Sequence, residues 1–219
     1  MNNELRQIVD IICTESKDNL KCIILGGSRG KGNEIIGWSD YDIYIINHYL
    51  EINTIKKIQV ELLNKIDCHV GLTYYSADEI NNNLIDDKTK VMIYEKNNYN
   101  CNPTLYGTYE PINITYNEIL MEDKNLFSKI IQNLKRDLLL NDYKKAIKTT
   151  TVLLKIILRK HNVFTYGYKN VFQKFYDLLE TKNIKWNNKI DILNCINSND
   201  EICDFSNELL LSFYDLYML

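Results

Sequence analysis

The sequence predicts an α+β fold in which a β-sheet with flanking helices is followed by an α-helical bundle. In the first half of the chain, short β-branched and aromatic runs alternate with stretches of helical periodicity, as expected for strands and helices that pack together. Beyond residue 111, every periodic stretch has the three-to-four-residue spacing of a helix. Both prolines, Pro103 and Pro111, lie between the two halves. We therefore predict two domains, residues 1–110 and 111–219.

Composition and charge limit the classes of protein that this chain can be. Its 219 residues contain no run of about 18 apolar residues, the length that crosses a bilayer, and the first residues show no signal-peptide pattern. We therefore expect a cytoplasmic protein. The net charge of -3 at pH 7 argues against an extended nucleic-acid interface. The six cysteines form no CxxC pair, so a zinc or redox motif has no support.

Residues 1–110 are predicted to contain both helices and strands. The helices carry apolar residues at every third or fourth position and are predicted over 3–13, 52–66 and from Ser76, as N-cap, toward Leu84. The strands are short runs of β-branched and aromatic residues at 21–25, 41–46, 67–74 and 91–95. Residues 97–111, rich in turn-forming residues, are interpreted as a linker or as the end of the first domain.

Residues 111–219 are predicted to be helical throughout. A typical apolar stripe is formed by Leu126, Ile130, Leu134 and Leu138, and we interpret such stripes as the core of a bundle. The predicted helices cover 117–140, 142–161, 168–181 and 201–219, with a shorter one near 189–196.

The glycines are distributed very unevenly along the chain. The chain has eight, and five of them fall within one short stretch: Gly26, Gly27, Gly30, Gly32 and Gly37. A strand followed by glycines is typical of a phosphate-binding loop, because backbone N–H groups approach an anion closely where no Cβ intervenes. The P-loop pattern fails at Leu25 and Gly32, and the GxGxxG pattern fails at Ile35.

Two aspartates follow the glycine-rich stretch and enter the next predicted strand. Asp40 and Asp42 are two residues apart, so their side chains point to the same face of the strand. Neighbouring carboxylates repel each other unless a cation lies between them, and Mg²⁺ prefers such hard oxygen ligands. Asp67 enters the third predicted strand, beside His69, and is the candidate third carboxylate. Three carboxylates suit phosphoryl or nucleotidyl transfer.

The motif formed by these residues resembles the signature of the polymerase-β-like nucleotidyltransferase superfamily. It comprises Gly27-Ser28, Asp40-x-Asp42 and later Asp67, within the segments LGGSRGKGNEIIGWSDYDIYII and NKIDCHV. Within that superfamily, a catalytic domain followed by a helical domain resembles the antibiotic nucleotidyltransferases of the kanamycin and lincosamide type. The motif covers about residues 20–75, and the helical half matches only in general layout.

The resemblance implies a mixed sheet and a magnesium site. Asp40 and Asp42 would hold Mg²⁺, and Asp67 matches the strand position of the third carboxylate, which in the family binds metal or accepts the proton of the acceptor hydroxyl. In kanamycin-type enzymes the base is a later glutamate, for which Glu95 is the candidate here. The identity of the general base stays open between Asp67, Glu95 and another residue.

The resemblance also implies that Gly27 and Ser28 hold the triphosphate of ATP or another NTP. Arg29 and Lys31 follow directly, and they either contact the β- or γ-phosphate or are solvated cations of the loop. The expected reaction moves a nucleoside monophosphate, AMP by preference, to a hydroxyl of a small molecule such as an aminoglycoside or lincosamide, and pyrophosphate leaves. The alternatives are transfer to a protein or tRNA, as in toxin–antitoxin systems, and a non-catalytic nucleotide-binding module. A homodimer is left open.

Overall fold

The structure is a computed structural model of the chain and describes residues 2–35, 37–192 and 200–218. The chain divides into two compact units, Met1–Ile119 and Leu120–Leu219. Within the described ranges, no helix is both long and apolar enough to cross a membrane.

The first unit is built around a four-stranded mixed sheet in the order β3-β2-β1-β4. Its strands are β1 (Leu20–Leu25), β2 (Tyr41–Asn47), β3 (Val70–Ser76) and β4 (Thr104–Gly107). Its helices are α1 (Asn3–Ser16), α2 (Gly27–Gly30), α3 (Ile52–Lys65), α4 (Ala77–Asn81) and α5 (Asp87–Tyr99). Strand β1 pairs antiparallel with β2 and β4, whereas β2 pairs parallel with β3. The predicted mixed sheet with flanking helices is confirmed.

The two faces of the sheet are covered by different helices. Alternate residues of β2, among them Tyr41 and Ile43, are buried in one core cluster with residues of α1 and α3. Tyr44 and Ile46 point to the other face and are buried with residues of α4 and α5. Because strand side chains alternate, Asp42 lies on the same face as Tyr44.

The helices of the first unit begin at polar caps. Asn2 accepts a hydrogen bond from the Leu5 N–H at the start of α1. Ser76 and Glu79 form a capping box at α4, which confirms Ser76 as the predicted N-cap. Asp86 accepts from the Thr89 N–H at the start of α5.

The strand predicted at 91–95 is wrong, because these residues belong to α5. Short apolar runs do not distinguish a strand from a buried helix segment, and the buried residues Thr89, Met92 and Ile93 have helical spacing. The fourth strand is instead β4, inside the segment that was predicted to be a linker. Strand β3 begins at Val70, three residues later than predicted.

The second unit is helical, as predicted. Its elements are α6 (Tyr116–Leu139), which begins just before the boundary between the units, α7 (Tyr143–Lys160), α8 (Tyr168–Thr181) and α9 (Asp200–Met218). Aromatic side chains form much of the core, and Phe172, Phe175 and Phe205 are fully buried. The helix predicted near 189–196 lies largely outside the described residues.

A buried ion pair ties α7 to α6 within the second unit. The Arg159 guanidinium donates two hydrogen bonds to the Asp123 carboxylate, at 2.8 and 2.6 Å. Both side chains are buried, and the bidentate geometry satisfies the charges that water no longer reaches.

Candidate functional site

The two aspartates predicted from the sequence lie at the start of β2. Asp40 directly precedes the strand and Asp42 is its second residue. Both carboxylates are about one-third exposed, at 33% and 30%. Tyr41 between them is buried on the opposite face of the sheet. The structure therefore places two partly exposed carboxylates at one end of the central strands.

The glycine turn that follows β1 packs directly against Asp42. The Gly26 N–H donates a 2.8 Å hydrogen bond to the Asp42 carbonyl. Gly27 has φ +61°, and a Cβ at this position would overlap the Asp42 carboxylate. A Cβ on Gly26 would lie 2.5 Å from the Tyr44 ring. These two glycines are therefore required because the turn must pass close to the side chains of β2.

Lys88, in the first turn of α5, is a member of the site that sequence reasoning missed. Its Nζ donates a 2.8 Å hydrogen bond to Oδ1 of Asp42. The Lys88 side chain is 65% exposed, so the pair lies at the surface. No local pattern indicates this contact, because the two residues are 46 positions apart in the chain.

Arg29 holds the loop that precedes Asp40. Its Nε and Nη2 donate to the Ser39 carbonyl at 3.2 and 3.0 Å, and its guanidinium stacks on the Tyr41 ring, 3.9 Å from the centroid. The Tyr41 hydroxyl in turn donates to Glu4 of α1. Arg29 therefore fixes the path of the chain into β2, and its predicted contact with phosphate stays a prediction.

Lys31 and Glu95 form a buried ion pair between the glycine-rich loop and α5. The Lys31 Nζ and Glu95 Oε2 are 2.5 Å apart, and the two side chains are only 12% and 3% exposed. The interpretation of Lys31 as a solvated cation of the loop is therefore wrong. Glu95, the alternative candidate base, is held by this lysine.

His69 lies next to Asp40, where the third carboxylate was expected. The parallel register pairs Tyr41 with Val70, and the Tyr41 N–H donates to the His69 carbonyl at 3.0 Å. The His69 Nδ1 is 4.0 Å from Asp40 Oδ2. Asp67 is exposed in the bend before β3, and the structure does not bring it into the strand. Among residues 2–35, 37–192 and 200–218, no three His, Cys, Asp or Glu side chains cluster as a metal site.

Burial raises the pKa of two groups in the first unit, one on each face of the sheet. Burial, followed by the negative charges of Asp42 and Asp86, raises the pKa of the Tyr44 hydroxyl well above its usual value. Burial also raises the pKa of the Cys68 thiol to about 11, with a further contribution from Glu4. Both groups are therefore neutral at pH 7.

The donor set of Asp40 and Asp42 fits Mg²⁺. Magnesium is usually held by one or two protein carboxylates, with water and substrate phosphates completing the coordination, so a third protein ligand is not required. The Lys88 ammonium on Asp42 Oδ1 shows that this oxygen accepts a cation. The backbone of the Gly26–Gly27 turn lies directly beside the Asp42 carboxylate.

No protein-family model matches the chain, and no curated protein matches it. A comparison with solved structures finds a chain of similar fold. The chain is similar to the spectinomycin adenyltransferase AAD(9) from Enterococcus faecialis, whose crystal structure was determined with ATP and spectinomycin. The similarity covers 94% of this chain and 98% of that one, with a TM-score of 0.61 and 16% sequence identity. The predicted resemblance to antibiotic nucleotidyltransferases is thus confirmed for the fold.

Proposed function

We propose that this protein is a nucleotidyltransferase that moves AMP from ATP to a hydroxyl group of a small molecule and releases pyrophosphate. The observation that carries the proposal is the Asp40–Asp42 pair at the start of β2, where Asp42 packs against the Gly26–Gly27 turn. A nucleotidyltransferase fold makes this arrangement a reasonable triphosphate site.

Asp40 and Asp42 would hold Mg²⁺ in this reaction. When bound, the ion would neutralise the triphosphate charge and polarise the α-phosphorus toward attack. Asp42 would contribute a hard oxygen ligand from β2, and Asp40 would contribute another from the residue directly before the strand. Asp67 stays a candidate third ligand, although the structure leaves it exposed ahead of β3.

Ser28 and the glycine turn would bind the phosphates. The hydroxyl of Ser28 and the N–H groups of Gly27 and Ser28 offer hydrogen-bond donors. Gly27 itself packs against Asp42, and Ser28 is the next residue in the chain. Arg29 and Lys31 are held by Ser39, Tyr41 and Glu95 and so shape the loop around these donors. The positive charge of Arg29 also lowers the cost of bringing a triphosphate close to two aspartates, whereas the charge of Lys31 is balanced by Glu95.

The acceptor is proposed to be a hydroxylated antibiotic of the aminoglycoside or lincosamide class. The support is the fold shared with an enzyme that was crystallised with spectinomycin. The proton of the attacking hydroxyl would pass to a carboxylate. Of the two candidates, Asp67 is exposed, whereas Glu95 is buried in its pair with Lys31, so Asp67 is the first to test by substitution.

The experiment is incubation of the full chain with each NTP, Mg²⁺ and a panel containing spectinomycin, aminoglycosides and lincosamides. The expected result is a mass increase of one nucleoside monophosphate on one compound, together with release of pyrophosphate. Label from α-labelled ATP on protein or tRNA would instead favour the toxin–antitoxin alternative. NTP binding without pyrophosphate release from any acceptor would indicate a non-catalytic module.

Asp42→Asn is the matched variant for this test. The substitution keeps the shape of the side chain but removes the charge that would hold the metal, so transfer should fall by about a hundredfold or more. The thermal unfolding midpoint should change little, because Asp42 is a partly exposed surface residue. Full activity in this variant would contradict the metal-binding role.

A further inference from the structure

The contact between Lys88 and Asp42 concerns the same oxygen that the proposed metal needs. Lys88 Nζ lies 2.8 Å from Asp42 Oδ1, while the other carboxylate oxygen, Oδ2, lies against Gly27. A lysine ammonium and a divalent cation both require an oxygen lone pair of the carboxylate. The two cations therefore compete for Asp42.

The backbone that carries Lys88 is held firmly in place. Asp86 caps α5 by accepting from the Thr89 N–H at 2.8 Å, and its other oxygen accepts from the Tyr75 hydroxyl at 2.6 Å. The Tyr75 hydroxyl also accepts from the Asp86 N–H at 3.0 Å. Since Tyr75 belongs to β3, the first turn of α5 is tied to the sheet. These hydrogen bonds hold the residues on both sides of Lys88 while leaving its side chain exposed.

That side chain can change partners without disturbing the fold. It is 65% exposed, and lysine carries its charge on four rotatable bonds. An exposed ion pair of this kind contributes little to stability, so exchanging one anion for another requires little energy. A triphosphate on the glycine turn would present new anionic oxygens close to Asp42, and lysine binds phosphate readily as a point charge.

We propose that Lys88 is an exchangeable cation that makes metal binding depend on nucleotide. In the nucleotide-free protein the ammonium occupies Asp42 and weakens binding of a divalent metal alone. When the nucleotide arrives with its metal, Lys88 leaves Asp42 and binds the phosphates. The inference rests on the proposed function, because it requires Asp42 to be a metal ligand.

Two binding measurements on the full chain test this inference without any catalytic readout. The first is titration with Mn²⁺ alone, followed by electron paramagnetic resonance. The second is calorimetric titration with Mg²⁺ and a non-hydrolysable ATP analogue. In Lys88→Met, Mn²⁺ alone should bind about two- to fivefold more tightly, since its competitor is gone. The analogue with Mg²⁺ should bind about three- to tenfold more weakly, since a phosphate contact is lost.

Two further variants provide controls. Lys174→Met removes an exposed lysine that pairs with Asp177 on α8 of the second unit and should leave both affinities at the wild-type value. Lys88→Arg keeps the positive charge and should stay within about twofold of wild type in both titrations. All variants replace exposed side chains, and their folding is checked by circular dichroism.

The opposite signs of the two effects separate this role from a merely structural one. Unchanged or weaker Mn²⁺ binding in Lys88→Met would overturn the inference while leaving the proposed function intact, as would equal loss of both affinities. If the wild-type protein binds neither Mn²⁺ nor the analogue with Mg²⁺, the proposed function fails, and the inference fails with it.

Discussion

Two residues of α5, Lys88 in its first turn and Glu95 two turns later, form ion pairs with the candidate site, yet the two pairs differ strongly in burial. At its start, exposed Lys88 meets Asp42 of β2. Two turns later, buried Glu95 meets Lys31 of the glycine-rich loop, with exposures of 3% and 12%. Water screens the first pair and hardly reaches the second. An ion pair is therefore exchangeable or fixed according to its burial, and one helix supplies both kinds.

The largest effect on stability is expected from breaking the buried pair. Glu95→Gln leaves the Lys31 ammonium without its negative partner in a site that water hardly reaches. The free energy of unfolding should fall by about 3 kcal/mol, measured by urea denaturation. Glu61→Gln, which breaks the exposed pair with Lys65, is the matched control and should cost less than about 0.5 kcal/mol. Equal losses in the two variants would contradict the distinction between buried and exposed pairs.

A smaller loss is expected from Gly27→Ala, which acts on the same carboxylate as Lys88. The new Cβ would overlap the Asp42 carboxylate, and the alanine would have to adopt φ +61°. The free energy of unfolding should therefore fall by about 2 kcal/mol. Gly32→Ala has a similar φ of +66° but open space around the Cβ, and should cost only about 1 kcal/mol. The difference between the two measures the contact with Asp42. Identical losses would show that this contact is unimportant.

Next in size is the removal of the cap that fixes the exposed end of α5. Asp86→Ala loses the hydrogen bonds to the Thr89 N–H and the Tyr75 hydroxyl, and stability should fall by about 1 kcal/mol. Asp86→Asn keeps an effective capping oxygen and should lie within about 0.5 kcal/mol of wild type. Thermal denaturation followed by circular dichroism compares them. If Asp86→Asn lost as much stability as Asp86→Ala, the negative charge of Asp86 rather than its capping hydrogen bond would be responsible.

The smallest effect on stability is expected from Lys88→Met. Because this pair is screened by water, the free energy of unfolding should change by less than about 0.5 kcal/mol, even though both binding affinities change. Urea denaturation alongside the Glu95→Gln variant provides the comparison. A loss above about 1 kcal/mol would mean that Lys88 is a structural anchor after all.

The parts of the molecule that were predicted correctly are those that depend on neighbouring residues. The periodicity of the helices, the run that forms β2 and the Ser76 cap are all local patterns. The misassigned strand at 91–95 belongs to α5, since tertiary burial rather than the short apolar run decides the conformation there. Strand β4 lay hidden among turn residues because its only strong feature is its pairing with β1.

The candidate site shows the same division. Asp40 and Asp42 are recognisable because their spacing alone gives them a common face. The ion pairs of Lys88 with Asp42 and of Lys31 with Glu95 are not recognisable from the sequence, since each joins residues that are far apart in the chain. The position of Asp67 depends on where β3 begins, and the structure starts that strand later than the sequence suggested.

The connection between β1 and β2 has a consequence for how this protein can diversify. Antiparallel neighbours can be joined by about two residues, yet here residues 26–40 make the connection while the strand pairing from Leu25 and Ile43 onward is kept. The entropic cost of closing a loop rises slowly with its length. Insertions beside Gly32, where a Cβ would meet open space, are therefore expected at little thermodynamic cost. Gly27, Arg29 and Lys31 are instead held by their contacts with Asp42, Ser39 and Glu95.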